Sequence, residues 1–375
     1  MPERPSIPDQ VKLKLWALSG ARCEFPGCNK YVWRDGLTLK DDNFAHMAHI
    51  IAANPGGPRG DEVASPELAT DYDNLMLLCF DHSKLVDGKN KCDYTIEYLR
   101  EYKRSHEDRI RRQTELSPEM TTTVLRFSAN IGDRPVEVST KQAYQAILPR
   151  YPADDRGIAL DFTNRPGRGK ADFWTSFASE ISERVEKELR AGNDRSRPSH
   201  ISVFALGPIP LLVHLGNAIG NTISADLYQR HRDTENWTWK NEAQDDLAYE
   251  VKETKGETGG DIAVVLSLSG KIHYDEVYKL FAKKPHLYEI TIATPAPGFL
   301  ASRPKLEKFR LAYRELLTKI RTLHGGGTVI HLFPAIPAPI AVVCGREILP
   351  KSDPKMTVYD HENAQGGFIP ILTIN

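Results

Sequence analysis

Two stretches of the chain repeat each other without a gap. Pro208-Ile-Pro210-Leu-Leu-Val-His-Leu-Gly216-Asn-Ala-Ile219 aligns with Pro337-Ala-Pro339-Ile-Ala-Val-Val-Cys-Gly345-Arg-Glu-Ile348; the prolines, the glycine and the isoleucine coincide. Each copy follows a strand-like run, Ala205-Leu206-Gly207 or His331-Leu332-Phe333-Pro334. Tyr228 comes nine residues after Ile219 and Tyr359 eleven after Ile348; nine beyond each tyrosine stands an aromatic, Trp237 or Phe368. A duplication of this length predicts two related strand–helix–strand units packed side by side. Such a pair creates a pseudo-symmetric crevice at the carboxyl ends of its parallel strands, where open α/β sheets bind ligands.

The surrounding text fits an α/β alternation from about Tyr151 onward. Phe173 to Leu189 and Lys305 to Leu323 have helical periodicity. Ile201 to Leu206, Ile262 to Leu268, Tyr288 to Ala293 and Val329 to Phe333 read as strands. The repeat units are expected over about 151–260 and 261–375. Leu116 to Pro118 opens a linker, and 116–150 is read as linker and start of the second domain. At 375 residues the chain exceeds one ordinary domain. Its 40% hydrophobic and 26% charged residues suit a globular protein, and a net charge of −1 gives no bulk attraction for nucleic acid. No apolar run approaches the ~18 residues of a membrane span. Met1 to Gln10 lacks a signal-peptide pattern, so the cytoplasm is the expected compartment.

The cysteines are unevenly placed. Cys23, Cys28, Cys79 and Cys92 fall in the first quarter of the chain, and Cys344 alone lies outside it. In a reducing compartment such a cluster points to a metal rather than to disulfides. Cys23-x4-Cys28 with Cys79-x2-His82 supplies two pairs of ligands suited to tetrahedral zinc. Cys92 is a rival fourth ligand with less regular spacing, and unrelated buried cysteines would give the same residue types. Around these pairs, Pro8 to Gly20 reads as a helix, Phe44 to Ile51 as a strand and Asn54 to Gly60 as a loop. Leu75 to Leu78 is apolar, with a helix starting near Cys79, and Tyr94 to Arg112 is a further helix. Arg100, Lys103, Arg104, Arg109, Arg111 and Arg112 give that last helix a basic excess. It fits contact with DNA phosphates, or a solvated face of i,i+4 pairs.

Between the pairs lie His46-Met-Ala-His49-Ile-Ile and Asn74-Leu-Met-Leu-Leu-Cys79-Phe-Asp-His82-Ser-Lys-Leu-Val-Asp87. From about Leu15 to Asp87 this resembles the HNH endonuclease superfamily. The resemblance implies a zinc-stapled ββα-metal fold within residues 1–115. It also implies a strand histidine that activates water, an asparagine that orients it, and a helix residue that binds a divalent ion. Phosphodiester hydrolysis suits a base titrating near neutrality and a Lewis-acidic ion. On this reading His49 is the base, Asn74 holds its ring, and His46 assists; a core histidine is the alternative for His49. Many relatives carry a second histidine after the zinc-pair position, where this chain has Ser83. The catalytic ion, Mg2+ or Mn2+, is then left to His46, Asp81, Ser83 and water, or to His82 if Cys92 joins the zinc.

Residues from about Tyr151 to Asn375 resemble the SAVED domain, on Phe204-Ala-Leu-Gly-Pro-Ile-Pro and His331-Leu-Phe-Pro-Ala-Ile-Pro with the tyrosines that follow. The resemblance implies two fused CARF-like (Rossmann-like) α/β units that bind a cyclic di- or trinucleotide, of the cGAMP type first of all. An HNH module followed by SAVED resembles the effector nucleases of CBASS anti-phage systems. What that implies is a bacterial cytoplasmic enzyme, activated by the messenger, assembling into a homo-oligomer, with a tetramer expected. It would cut double-stranded DNA without much sequence preference, in abortive infection. The bottom-up reading offers Trp174, Tyr228, Trp237, Trp239 and Tyr359 for base stacking. Arg230, Lys271 and Arg346 are offered for phosphate, and the helix starts at Pro208 and Pro337 for backbone N–H contacts. Two other functions stay open: a constitutive restriction-type nuclease whose second half reads DNA, and a nucleotide-binding scaffold whose HNH module is catalytically impaired.

Overall fold

A computed structural model describes residues 6–89, 91–132, 136–164, 172–190, 197–240, 247–325, 327–362 and 366–375. Of the segment Met1 to Gln10, residues 1–5 therefore lie outside the described residues. The chain divides into two compact units, Met1–Ser117 and Pro118–Asn375. No described helix is long and apolar enough to cross a membrane.

In the first unit, α1 (Asp9–Ser19) begins after Pro8, whose missing N–H is harmless at a helix start. It stops at Gly20, whose φ of 61° is a left-handed conformation that glycine adopts without strain. Next, β1 (Ala45–His49) and β2 (Leu75–Cys79) form an antiparallel pair with Ala45 opposite Cys79 and His49 opposite Leu75. The connection carries α2 (Ala64–Leu68), and α3 (Phe80–Asp87) follows β2 directly, completing a ββα arrangement. Every residue of β2 is buried. Leu15, Ile50, Leu75, Leu77, Val86 and Leu99 make the small core, the last from α4 (Ile96–Thr114), whose first turn is capped by the Thr95 hydroxyl.

The second unit starts with β3 (Thr121–Ser128), α5 (Thr140–Ala146), β4 (Tyr151–Pro152) and β5 (Ile158–Asp161). It continues through α6 (Phe173–Val185), prolonged by a π turn over Glu186–Arg190, then β6 (His200–Leu206), α7 (Ile209–Ile219) and β7 (Ser224–Tyr228). These strands form a parallel sheet, β4-β3-β6-β7, with β5 also paired to β3. After β8 (Glu250–Thr254) come β9 (Ile262–Ser267), α8 (Tyr274–Tyr278), β10 (His286–Thr291) and α9 (Arg303–His324). Then follow β11 (Val329–Ala335), α10 (Ala338–Arg346), β12 (Lys355–Glu362) and β13 (Gly367–Ile374). This sheet has the order β13-β12-β11-β9-β10-β8, with β10, β9, β11 and β12 parallel and the two edge strands antiparallel. The central strands β6 and β9 are buried almost throughout, as expected for parallel strands covered on both faces.

The two sheets have one plan. The order β5-β3-β6-β7 repeats as β10-β9-β11-β12, so α5, α6 and α7 correspond to α8, α9 and α10. The duplicated sequence is the turn, helix and following loop of the third strand in each half. The first copy begins at β3, near Thr121, and not near Tyr151. The stretch 116–150, read as linker and start of the second domain, thus contains a central strand of the first sheet. Its sequence, Thr-Thr-Thr-Val-Leu-Arg-Phe-Ser, hides this because its hydroxyl positions read as polar. Thr122 Oγ1 lies 2.8 Å from His200 Nδ1 and 2.9 Å from Ser202 Oγ, partners almost eighty residues away.

Candidate functional site

The first unit holds a four-residue cluster. Cys23 Sγ lies 3.6 Å and Cys79 Sγ 3.2 Å from His82 Nδ1, and Cys28 Sγ lies 4.0 Å from Cys79 Sγ. All four ligand atoms lie within 4.8 Å of one another. A tetrahedral zinc ion with Zn–S bonds of about 2.3 Å would space its ligands by roughly 3.5–3.8 Å. The donor set therefore fits that ion in type and spacing. Burial pushes the Cys23 thiol up to about 12, so a buried thiolate here calls for a cation. The loop supports the geometry: Cys23 N–H donates to Lys30 O, Cys28 N–H to Phe25 O, and the Phe25 ring stacks on His82 at 4.1 Å. Cys92 is exposed and stands outside the cluster.

His49 is the last residue of β1 and is buried, 7% exposed. Its Nε2 lies 2.8 Å from the carbonyl oxygen of Ala69. A carbonyl can only accept, so Nε2 carries the proton. Asn74 does not hold this ring. Its amide instead accepts from Ile51 N–H (2.8 Å) and donates to Ile51 O (2.9 Å) and Leu68 O (3.0 Å), fixing the chain as it leaves β1. His46 is a second correction. Three residues apart on one strand, His46 and His49 point to opposite faces; His46 is exposed and its ring lies 5.5 Å from that of Phe80. Ser83 turns its hydroxyl back to Phe80 O at 2.8 Å, and Asp81 is exposed on the first turn of α3. His46, Asp81 and Ser83 are thus not gathered into a ligand set. The zinc-like tetrad is the one such cluster among the described residues.

The reading from sequence missed Arg59. Its guanidinium donates to Ile50 O (2.6 Å), Val86 O (2.8 Å) and Asp87 Oδ1 (2.7 Å), clamping the end of β1 to the end of α3 beside His49. Nothing in the loop Asn54-Pro-Gly-Gly-Pro-Arg-Gly marked that arginine. The basic helix α4 supports its solvated or structural reading. Lys103 is buried against Glu107 at 2.5 Å, Arg111 pairs with Asp108 at 2.8 Å, and Arg109 donates to Asn29 at 2.9 Å.

In the second unit, Pro208 and Pro337 are the N-cap residues of α7 and α10, immediately after β6 and β11. The two helix starts share the carboxyl end of the strands with Trp174, Arg230 and Lys271, which follow or flank β5, β7 and β9. Lys271 is exposed; Trp174, Arg230 and Trp239 are half-buried. Asn130, just after β3, has its Oδ1 buried without a partner among the described residues. Glu289 in β10 is buried and accepts from Ser267 Oγ (2.6 Å) and Tyr274 OH (2.7 Å). Neither was predicted, since a lone Asn or Glu gives no sequence signal.

Three expected stacking residues are core residues. Tyr228 lies flat on Phe204 (centroids 4.4 Å apart) with Trp237 edge-on to the same ring at 5.3 Å. In the other half Tyr359 lies on Phe333 at 4.4 Å with Phe368 edge-on at 5.3 Å. Trp237 is 0% exposed. A ring enclosed on both faces offers none to a base, so Tyr228, Trp237 and Tyr359 are corrected from ligand contacts to duplicated core triads. Arg346 is also misplaced: it ends α10, at the opposite end of the helix from Pro337.

Residues 181–374, just over half of the chain, match the family described as "SMODS-associated and fused to various effectors sensor domain", SAVED. No curated protein sequence matches. Among solved structures, the Acinetobacter baumannii Cap4 SAVED/CARF-domain containing receptor is similar at 14% identity, with a TM-score of 0.44, over 84% of this chain and 66% of that chain. The same receptor with the cyclic trinucleotide 2'3'3'-cAAA gives 14%, 0.45, 84% and 67%. The Moraxella osloensis Cap4 receptor gives 14%, 0.42, 84% and 71%. The chain spans about two thirds of the length of the A. baumannii receptor. With its duplicated sheets and the match over 181–374, the chain belongs to the SAVED family of sensor domains.

Proposed function

We propose that this protein is a ligand-gated DNA nuclease. The second unit binds a cyclic oligonucleotide, and the first unit hydrolyses double-stranded DNA with little sequence preference, in anti-phage defence by abortive infection. The observation that carries the nuclease reading is His49. A buried histidine ends the first strand of a ββα arrangement, one ring nitrogen committed to a backbone carbonyl, in the same small unit as a cluster that suits structural zinc. Such a group serves as general base toward water. Arg59 and Asn74 position it by fixing its own carbonyl and the two residues that follow. Mg2+ or Mn2+ is expected in the reaction.

The sensing role rests on membership of a sensor family and on two helix starts at one end of a duplicated sheet pair. Backbone N–H groups at helix starts favour phosphate. The test incubates the full chain with linear and circular DNA, Mg2+ or Mn2+, and a panel of cyclic di- and trinucleotides, cGAMP isomers and cyclic triadenylates included. Cleavage with one messenger and not without it supports the proposal. Cleavage without any messenger supports a constitutive nuclease. Messenger binding without cleavage supports the impaired scaffold, which the placement of His46 and Ser83 favours over the constitutive reading.

A further inference from the structure

A cavity sits away from the helix starts. Its volume of about 290 Å³ is lined by Arg346 and Glu347 at the end of α10, Arg310 and Arg314 of α9, and Ile223 with Asp226 from the loop after α7 and β7. It lies on the seam between the two halves, at the far end of α7 and α10 from Pro208 and Pro337. The 11 residues of α7 put those ends roughly 16 Å apart.

Four arginines and three carboxylates line it. The carboxylates are already engaged. Asp226 pairs with Arg303 and with Arg150, Glu307 lies 3.5 Å from Arg310, and Glu347 lies 3.7 Å from Arg310 and 3.2 Å from Arg314. Among the described residues no carboxylate lies within ion-pair range of Arg346. Its guanidinium crosses the seam to donate one bond, at 2.8 Å, to Ile223 O, and its other terminal nitrogen, Nη1, is buried with no partner. Arg310 Nε is buried without a hydrogen bond, with Glu307 at 3.5 Å and Glu347 at 3.7 Å in ion-pair range of it. Burial pulls Arg346 down to about 10, with the Glu347 carboxylate working against that shift and Arg310 adding to it. Unmade charged hydrogen bonds in a buried site are costly. Guanidinium forks match the oxygen pairs of phosphate.

We propose that this cavity binds a phosphate-class anion, held by Arg346 and Arg310, which ties the two halves of the sensor together at the end remote from the messenger. The volume, at the lower edge of the about 300–1,000 Å³ of small-ligand pockets, suits inorganic phosphate, pyrophosphate or a single nucleotide phosphate. The anion comes either from the free phosphate pool or from a nucleotide, and comparing phosphate, pyrophosphate and a mononucleotide in the experiment separates these sources.

The experiment titrates the full chain with each probe at constant ionic strength, following heat of binding and the melting midpoint. Saturable binding by at least one probe is expected, weakened about tenfold or more in Arg346→Met, which keeps the stem and removes the fork. Arg310→Met repeats the test should Arg346→Met fail to fold. Binding should survive saturation with the cyclic nucleotide that best binds the chain. No saturable binding, or unaltered binding in both variants, overturns the proposal. Competition between phosphate and the cyclic nucleotide overturns the claim of a separate site and assigns the cavity to the messenger.

Discussion

Gly216 of α7 lies directly against the carbonyl oxygen of Val342 in α10: a Cβ at Gly216 would fall 2.1 Å from it. The relationship is reciprocal. A Cβ at Gly345 of α10 would fall 1.8 Å from the carbonyl of Val213 in α7. The duplicated glycines therefore mark a two-fold crossing in which each helix needs the other's missing side chain. Gly216→Ala or Gly345→Ala should destabilise the second unit by about 2–3 kcal/mol or more, because backbone cannot step aside as a side-chain tip can. Urea melts of the full chain, followed by a probe in the second unit, check this. Wild-type midpoints in both variants would mean that the helices can separate without loss.

The cysteine–histidine tetrad should carry about one tightly held Zn2+ per chain, measurable by metal analysis of purified protein. Structural zinc contributes folding energy directly. Cys23→Ser or Cys79→Ser should therefore lower the melting point of the first unit and leave the second unchanged, whereas Cys92→Ser should do neither. A folded first unit without zinc would contradict the assignment.

His49→Ala should lower messenger-dependent cleavage by about a hundredfold or more, the scale of general acid–base catalysis. Zinc content and messenger binding should be retained. His46→Ala, on the opposite face of β1, should cost far less. Comparable losses in the two variants would mean that the strand does not separate their roles.

Much of this was legible in the sequence, and the limits have physical causes. Pro8 and Gly20 announce the ends of α1 because proline and glycine act through local backbone geometry. The two metal-ligand pairs are equally local, each on a short turn or helix start. The repeat was visible because the same glycine solves the same crossing twice. Its partner tyrosines, Tyr228 and Tyr359, were visible too, but their role was not: whether a ring is enclosed depends on Phe204 and Phe333, far off in the chain. Thr121 to Ser128 was missed because its buried hydroxyl, that of Thr122, is satisfied by a neighbouring strand far off in the chain. Arg59 was missed because its importance comes from three acceptors that meet only in the fold.

Acid should weaken the second unit through His200. Burial first, then Arg150, Arg303 and Arg346, holds its pKa at about 4 in the folded chain, from 6.5. Asp226, 3.6 Å from Nε2, would pull the other way but is already neutralised by Arg303 and Arg150. Below about pH 6.5 the unfolded chain takes up a proton that the folded chain refuses until about pH 4. Stability from this residue is thus complete above pH 6.5 and declines as pH falls through that window, by at most about 3 kcal/mol. His200→Gln should flatten the profile between pH 6.5 and 4. Identical slopes in variant and wild type would remove His200 as the cause.

The central claim is that a cyclic oligonucleotide on the second unit switches on DNA hydrolysis in the first. A ligand can shift such a balance only by binding the active state better; moving from about 1% to about 99% active takes about 5.5 kcal/mol. Assembly of several chains would let each bound ligand share that work. The most direct measurement follows DNA cleavage and particle mass together, by light scattering, as a cyclic di- or trinucleotide is added to the full chain with Mg2+. The account predicts no cleavage at first, then cleavage rising with messenger occupancy as the mass grows toward a homo-oligomer, a tetramer being expected. Cleavage at full rate before any messenger is added, or saturated messenger binding with intact DNA, would contradict it.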